Sequence, residues 1–286
     1  MNPRDNILSK IKRTPALPMA TIKVVGILQN PRAEMSEISR VINHDPGLAA
    51  NTLRLANSAM FGGHRKIETI DAAIARLGVR RMLDLVVAAA VKPMASAPVR
   101  GYDLPAGTLW LHSVAVACAT EELAKMRKIT GTASAFTAAL LIDIGKSILG
   151  SHLEVDGQKI RRLAFEQHVP FEQAERQVLG IDHAEAGAAL LEHWGLPPAL
   201  VAAVRWHHEP DRCPGEHQAL IDLIHACDQI CMLGGIGAGS DGSNYQPSEA
   251  VMTRLKIDEG VVEAMLWRIV ERLESLKDLI GQTGSV

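Results

Sequence analysis

Aromatic residues are scarce in this sequence: four Phe, four Trp and two Tyr in 286 residues. A core of ordinary density must therefore be built mainly from Ala, Leu, Ile and Val, and the first two are strong helix formers. Charge of one sign is also missing. Lys and Arg total 30 against 32 Asp and Glu, for a net charge of −2 and a pI of about 6.6. That balance lacks the basic footprint of a nucleic-acid binder. Long hydrophobic runs are absent too. The longest purely apolar one, Leu85 to Val91, is far below the roughly 18 residues of a membrane span. Arg4, Lys10, Lys12 and Arg13 near the N-terminus are not followed by an apolar stretch of signal-peptide length, so a cytoplasmic protein is expected. Cys118, Cys213, Cys227 and Cys231 fit no paired zinc spacing and are expected to be reduced, small apolar residues.

What is present is helical periodicity. Ile38, Val41 and Ile42 make a stripe, and Asp45-Pro46 reads as an N-cap with proline at the first helical position. That helix is expected to end near Phe61-Gly62-Gly63. Thr69 caps the next, Gly78 breaks it, and Val79 to Lys92 forms another that Pro93 stops. The stretch from Pro93 to Pro105 reads as a joint between two helical lobes, 1–98 and 99–286. In the second lobe helices are expected over 107–127, 132–149, 157–167, 170–179, 183–194, 197–207, 217–233 and 258–280. The expected fold is thus an all-α, two-lobed helical bundle.

Residues 234–247 are rich in Gly, Ser and Asn and read as a flexible loop. Gly237 to Gly242 matches G-x-G-x-x-G, but that string binds a dinucleotide only between a strand and a helix. Here a helix precedes it, so the dinucleotide reading fails. Arg76, Arg80 and Arg81, near Arg65 and Lys66, read as a solvated charged face. Asn57 and Ser58 suggest either a partner contact or local bonding to the backbone at a helix end.

The chemistry lies in scattered His and Asp residues: His112, Asp143, His183, His207, His208 and Asp228, with Lys146 close to Asp143. Helices of one bundle can aim such side chains at a common centre. Singly, each has a plain structural reading as a hydrogen-bonded core residue. The string Ala138-Ala139-Leu140-Leu141-Ile142-Asp143-Ile144-Gly145-Lys146 resembles the signature of the HD phosphohydrolase superfamily, in which a His-Asp pair precedes a hydrophobic residue, Gly and Lys. His112 matches that family's first His and Asp228 its last Asp. His183 and the pair His207-His208 resemble further histidines of the HD-GYP branch, which hydrolyses cyclic dinucleotides. The Gly-Tyr-Pro element of that branch does not follow them.

Ile142 stands where the paired His is expected. A hydrocarbon side chain has no lone pair, so a ligand is lost at that position. A hydrolytic site must hold its ion, acidify bound water and clamp phosphate oxygens. The second lobe is therefore expected to carry a vestigial pocket, with no catalytic residue, no metal and no cofactor, or at most a weakly held single ion.

Asn43-His44-Asp45-Pro46-Gly47-Leu48, Leu53 to Ala59, Ile67 to Ala73, Arg76-Leu77-Gly78, Asp182 to Gly187 and Trp194-Gly195-Leu196-Pro197 closely resemble the HDOD family, over about residues 17–208. The resemblance implies a regulatory signal-transduction module of bacterial cells that binds signalling proteins. Nucleic acid and membrane are not expected as partners, and neither the partner nor the oligomeric state can be read from the residues. A residual metal-dependent phosphodiesterase acting on cyclic dinucleotides or related nucleotides is the rival reading.

Overall fold

The computed structural model describes residues 2–28, 34–58, 61, 66–132, 134–242 and 246–276. Its architecture is all-α. No strand occurs among the described residues, only an isolated bridge between Val99 and Leu104. The helices are α1 (Pro3–Arg13), α2 (Met19–Leu28), α3 (Met35–Asn43), α4 (Pro46–Ala56), α5 (Ile70–Ala95), α6 (Thr108–Arg127), α7 (Ala135–Ala139), α8 (Ile144–Gln167), α9 (Phe171–Leu179), α10 (His183–His193), α11 (Pro198–Trp206), α12 (Gln218–Leu233), α13 (Glu249–Leu255) and α14 (Glu259–Glu274). Single 3₁₀ turns at Arg100–Tyr102 and Pro210–Arg212 join some of them. No described helix is long and apolar enough to cross a membrane.

Local chemistry sets most of the boundaries. Asp45 caps α4 by accepting from the Leu48 N–H, with Pro46 just inside, and Thr69 caps α5 through the Ala72 N–H. Asp182 caps α10 through the Glu185 N–H, and Gly195 follows with φ of 68°. Gly78, with φ 81° and ψ 162°, kinks α5 where the sequence predicts a break. α4 ends at Ala56, earlier than expected, and Gly62 and Gly63 lie outside the described residues.

Helices α2 to α5 pack on one another, and α6 to α14 form the larger body. α1 joins that body. It lies on α10 and α8, with Ile7 and Ile11 buried. Arg4 makes a two-pronged pair with Glu185, and Lys10 donates to the Ile148 carbonyl. His193 and Trp194 bond the Thr14 and Pro15 carbonyls. Although α1 falls within the 1–98 stretch, its packing is with the second lobe.

Other expectations are corrected. Pro93 does not stop its helix. α5 continues to Ala95, because one missing donor in a final turn is tolerated, and the Ser96 N–H still reaches the Lys92 carbonyl at 2.8 Å. The helix predicted over 132–149 is split at Leu140–Asp143, and α8 then runs unbroken where a gap at 150–156 is predicted. Gly150 marks close packing instead of a helix end. A Cβ there would lie 2.5 Å from a Val99 methyl, and one on Gly101 would lie 2.4 Å from the Gly150 carbonyl. Helices α1, α2 and α13 are not among those the sequence predicts; α1 starts with Asn2 accepting from the Arg4 N–H ahead of Pro3, and α13 with Ser248 accepting from the Val251 N–H. The tail of the helix predicted to reach residue 280 lies outside the described residues beyond 276.

Candidate metal and ligand pocket

The split between α7 and α8 positions the centre of the pocket. It leaves Asp143 at the first position before α8, buried, with its side chain free of capping duty. Lys146, one turn on, donates to Asp143 Oδ2 at 2.8 Å. α6 supplies His112, α10 starts with His183, the end of α11 supplies His207 and His208, and α12 supplies Asp228. All seven residues singled out in the sequence thus come from five helices to one region, linked by hydrogen bonds or ion pairs.

Two half-sites share Asp143. In the first, His112 Nδ1 donates to the Ile236 carbonyl at 2.8 Å and Nε2 lies 2.9 Å from Asp228 Oδ1. Asp143 Oδ2 is 3.6 Å from the same Nε2. Burial alone would lower the His112 pKa, but the hydrogen bond and charge of Asp228 raise it, so the pair reads as imidazolium and carboxylate. Ile142, fully buried next to Asp143, contributes no donor atom.

The second half-site comprises Asp143, His183, His207 and His208, whose ligand atoms all lie within 4.8 Å of one another. His207 Nδ1 donates to the Val204 carbonyl at 2.7 Å, which leaves the lone pair on Nε2. That Nε2 is buried, has no hydrogen-bond partner, and lies 3.9 Å from Asp143 Oδ1. His183 Nδ1 is held by Glu175 Oε2 at 2.8 Å, turning its Nε2 towards Asp143 Oδ1 at 3.5 Å. A carboxylate behind His183 and a carbonyl behind His207 orient the two rings in the usual way of metal-binding imidazoles. The donor set, three ring nitrogens and one carboxylate oxygen, suits a single divalent transition ion. The first half-site, lacking a nitrogen at Ile142, does not fit a second.

A proton competes for the same atoms. His183 Nε2 and His208 Nε2 are 2.7 Å apart, so one must donate to the other. Burial opposes charge on His183, but Glu175 more than offsets it and lifts the pKa to about 9. Burial and the neighbouring histidines push His208 well below its ordinary value, and burial drives His207 down to about 4. His183 is therefore the donor. Asp143 is held below the usual carboxylate range, because the charges of Lys146 and His112 outweigh its burial.

Three partners were not foreseen. Glu175 bonds both the His183 ring and its backbone N–H. Tyr102 donates to Glu175 Oε1 at 2.5 Å and lies under the Lys146 ammonium, 5.8 Å from its ring centre. Asp241, from the loop read as flexible, sits 2.5 Å from Lys146 Nζ and is 1% exposed. Glu175 and Tyr102 stand in no recognisable string, and Asp241 occupies a variable position of the G-x-G-x-x-G string, so tertiary placement alone reveals their roles.

A family model for the HDOD domain matches residues 14–210, more than half the chain and close to the span of the motifs above. The chain belongs to the HDOD family. Similar proteins include an uncharacterised protein of Treponema pallidum, 26% identical over 223 residues; these are 77% of this chain but 42% of the relative, so the chain spans less than half of it. Among solved structures, a provisionally named phosphohydrolase from Shewanella amazonensis SB2B is 27% identical, with TM-score 0.71 over 96% of this chain and 98% of the other. An HDOD domain protein of unknown function from Geobacter sulfurreducens shares the fold at 23% identity, TM-score 0.68, over 97% and 95% of the two chains. A provisionally named signal transduction protein from Marinobacter aquaeolei VT8 does so at 23% identity, TM-score 0.72, over 98% and 61%.

Outside the pocket, the remaining singled-out HDOD residues make internal contacts. Asn57 ties the end of α4 to the segment before α5, donating to the Ile67 carbonyl and accepting from the Ile67 N–H, each at 2.7 Å. Ser58 donates to the Leu55 carbonyl at 2.6 Å. Both follow the local-bonding reading. Arg81 pairs with Glu121 and lies over the Phe61 and Phe136 rings, so it is part of the seam between α5, α6 and α7, not of a solvated face. Arg65 lies outside the described residues.

Proposed function

We propose that this HDOD protein is a regulatory module of bacterial signalling that acts in the cytoplasm by binding partner proteins and has no hydrolytic activity. The observation that carries the reading is the chemistry around Asp143. Ile142 removes one nitrogen donor, His112 is engaged by Asp228, and Lys146 is engaged by two buried carboxylates. Two-metal hydrolysis needs both half-sites open to ions and substrate. Most of the pocket's charged groups are instead engaged by one another, tying α6, α8, α9, α10 and α12 together, which suits a rigid scaffold presenting its outer surface.

One feature favours the rival reading of a residual phosphodiesterase. The cluster of Asp143, His183, His207 and His208 fits a single ion. The two readings part on metal content and turnover. Purified protein loaded with manganese or iron is expected to hold at most one ion per chain and to leave cyclic dinucleotides intact. Turnover that disappears in Asp143→Ala would overturn the regulatory reading. Ile142→His is expected to raise metal stoichiometry, by restoring the missing nitrogen. Partners are sought by pull-down from the native cell.

A further inference from the structure

The glycine-rich segment after α12 is built into the pocket at three points, each on a different element. The Ile236 carbonyl accepts from His112 of α6. The Ser240 N–H donates to the Tyr102 carbonyl, in the 3₁₀ turn before α6, at 2.9 Å. Asp241 reaches Lys146 of α8 at 2.5 Å. Glycine is required where the segment passes closest. Gly237 has φ of 70°, and a Cβ on it would lie 2.6 Å from the His112 Cβ; a Cβ on Gly239 would lie 2.3 Å from the Tyr102 carbonyl oxygen. The G-x-G-x-x-G string therefore fits a segment pressed against protein, not one wrapped around a pyrophosphate.

The charges are uneven. Lys146 already has Asp143 as its ion-pair partner at 2.8 Å. A second buried carboxylate on the same ammonium exceeds neutralisation, and desolvating a carboxylate is costly unless the site is shaped to receive an anion. The rest of the segment is weakly held. Only Ile236 and Asp241 are buried between 234 and 242, and the other positions are exposed or half-buried. Few apolar contacts are the mark of an element that opens before the fold does.

We propose that residues 234–242 form an inhibitory strap that supplies the pocket's own anion: the Asp241 carboxylate holds the Lys146 ammonium, and an external anion reaches Lys146 only when the strap lifts. This goes beyond the regulatory reading and holds whether or not the pocket hydrolyses anything. It gives the pocket two states, closed on itself or open to a small anion, differing by one loop.

Two variants test it by different routes. Asp241→Asn keeps the shape and removes the charge. Gly239→Ala keeps the charge and places a methyl against Tyr102. Hydrogen exchange of the Ser240 amide reads strap opening, and calorimetry with inorganic phosphate reads access to Lys146. Both variants are expected to speed Ser240 exchange at least tenfold while amides of α8 and α12 stay protected, which separates lifting from unfolding. Asp241→Asn is expected to bind phosphate about tenfold more tightly than the parent, and the gain is expected to vanish when Lys146→Met is added. Unchanged Ser240 exchange in both variants would overturn the strap. Faster exchange with no gain in phosphate affinity would overturn Asp241 as the internal anion.

Discussion

At the scale of the residue, Glu175 and His183 show what a motif hides. The sequence marks His183, because it begins a recognisable string, but says nothing of the carboxylate eight positions earlier that decides its charge. Glu175 and His183 are both fully buried, so their attraction is poorly screened. The folded pKa of His183, about 9, lies above the ordinary 6.5. The stability it contributes is therefore complete below about pH 6.5 and is lost as the pH rises through 9. In Glu175→Gln, burial acts without the compensating charge, and the His183 pKa is expected to fall below 6.5. Imidazole NMR titration checks the shift. Unfolding midpoints measured between pH 6.5 and 9 are expected to decline in the parent and to flatten in the variant. The polar residues of the pocket were legible singly, but their protonation and pairing were not, since those depend on which helix ends meet.

At the scale of the element, glycine was the hardest residue to read. Gly78 breaks α5 as the pattern predicts, yet Gly145, Gly150 and Gly157 stay inside one continuous helix. The difference is tertiary. A Cβ on Gly145 would lie 2.0 Å from the His183 carbonyl oxygen and 2.6 Å from the Gly187 nitrogen, so α8 and α10 meet backbone to backbone there. That contact sets the distance from Asp143 to His183. Gly145→Ala is expected to destabilise the fold by about 1–3 kcal/mol or more through overpacking. Gly26→Ala, in α2 with nothing within 4 Å of the added methyl, is expected to be neutral or to stabilise by about 0.5–1 kcal/mol. Urea unfolding of the pair separates crowding from helix propensity. Caps, by contrast, were legible, because Asp45, Thr69 and Asp182 bond to backbone only three residues away.

At the scale of the whole molecule, the all-helical class and the subfamily were legible from composition and ordered motifs. The placement of α1 was not, because nothing local to residues 3–13 names a partner near residue 185. The apolar contacts of α1 are expected to matter more than its visible ion pair. Ile7→Ala is expected to cost about 2–4 kcal/mol, since Ile7 is fully buried against α10 and α8. Arg4→Ala is expected to cost no more than about 1 kcal/mol, because the Arg4–Glu185 pair is about a third exposed and screened by solvent. Thermal and urea unfolding of the two variants test the ranking.

Because α1 rests on the larger body and α5 packs on α6, α7 and α8, the four helices between α1 and α6 are fastened to that body at each end, as a bucket handle is fixed at two lugs. A protein docking on α2 to α5 would thus be felt as torque on the seam at α5 and α7, a few residues from Asp143.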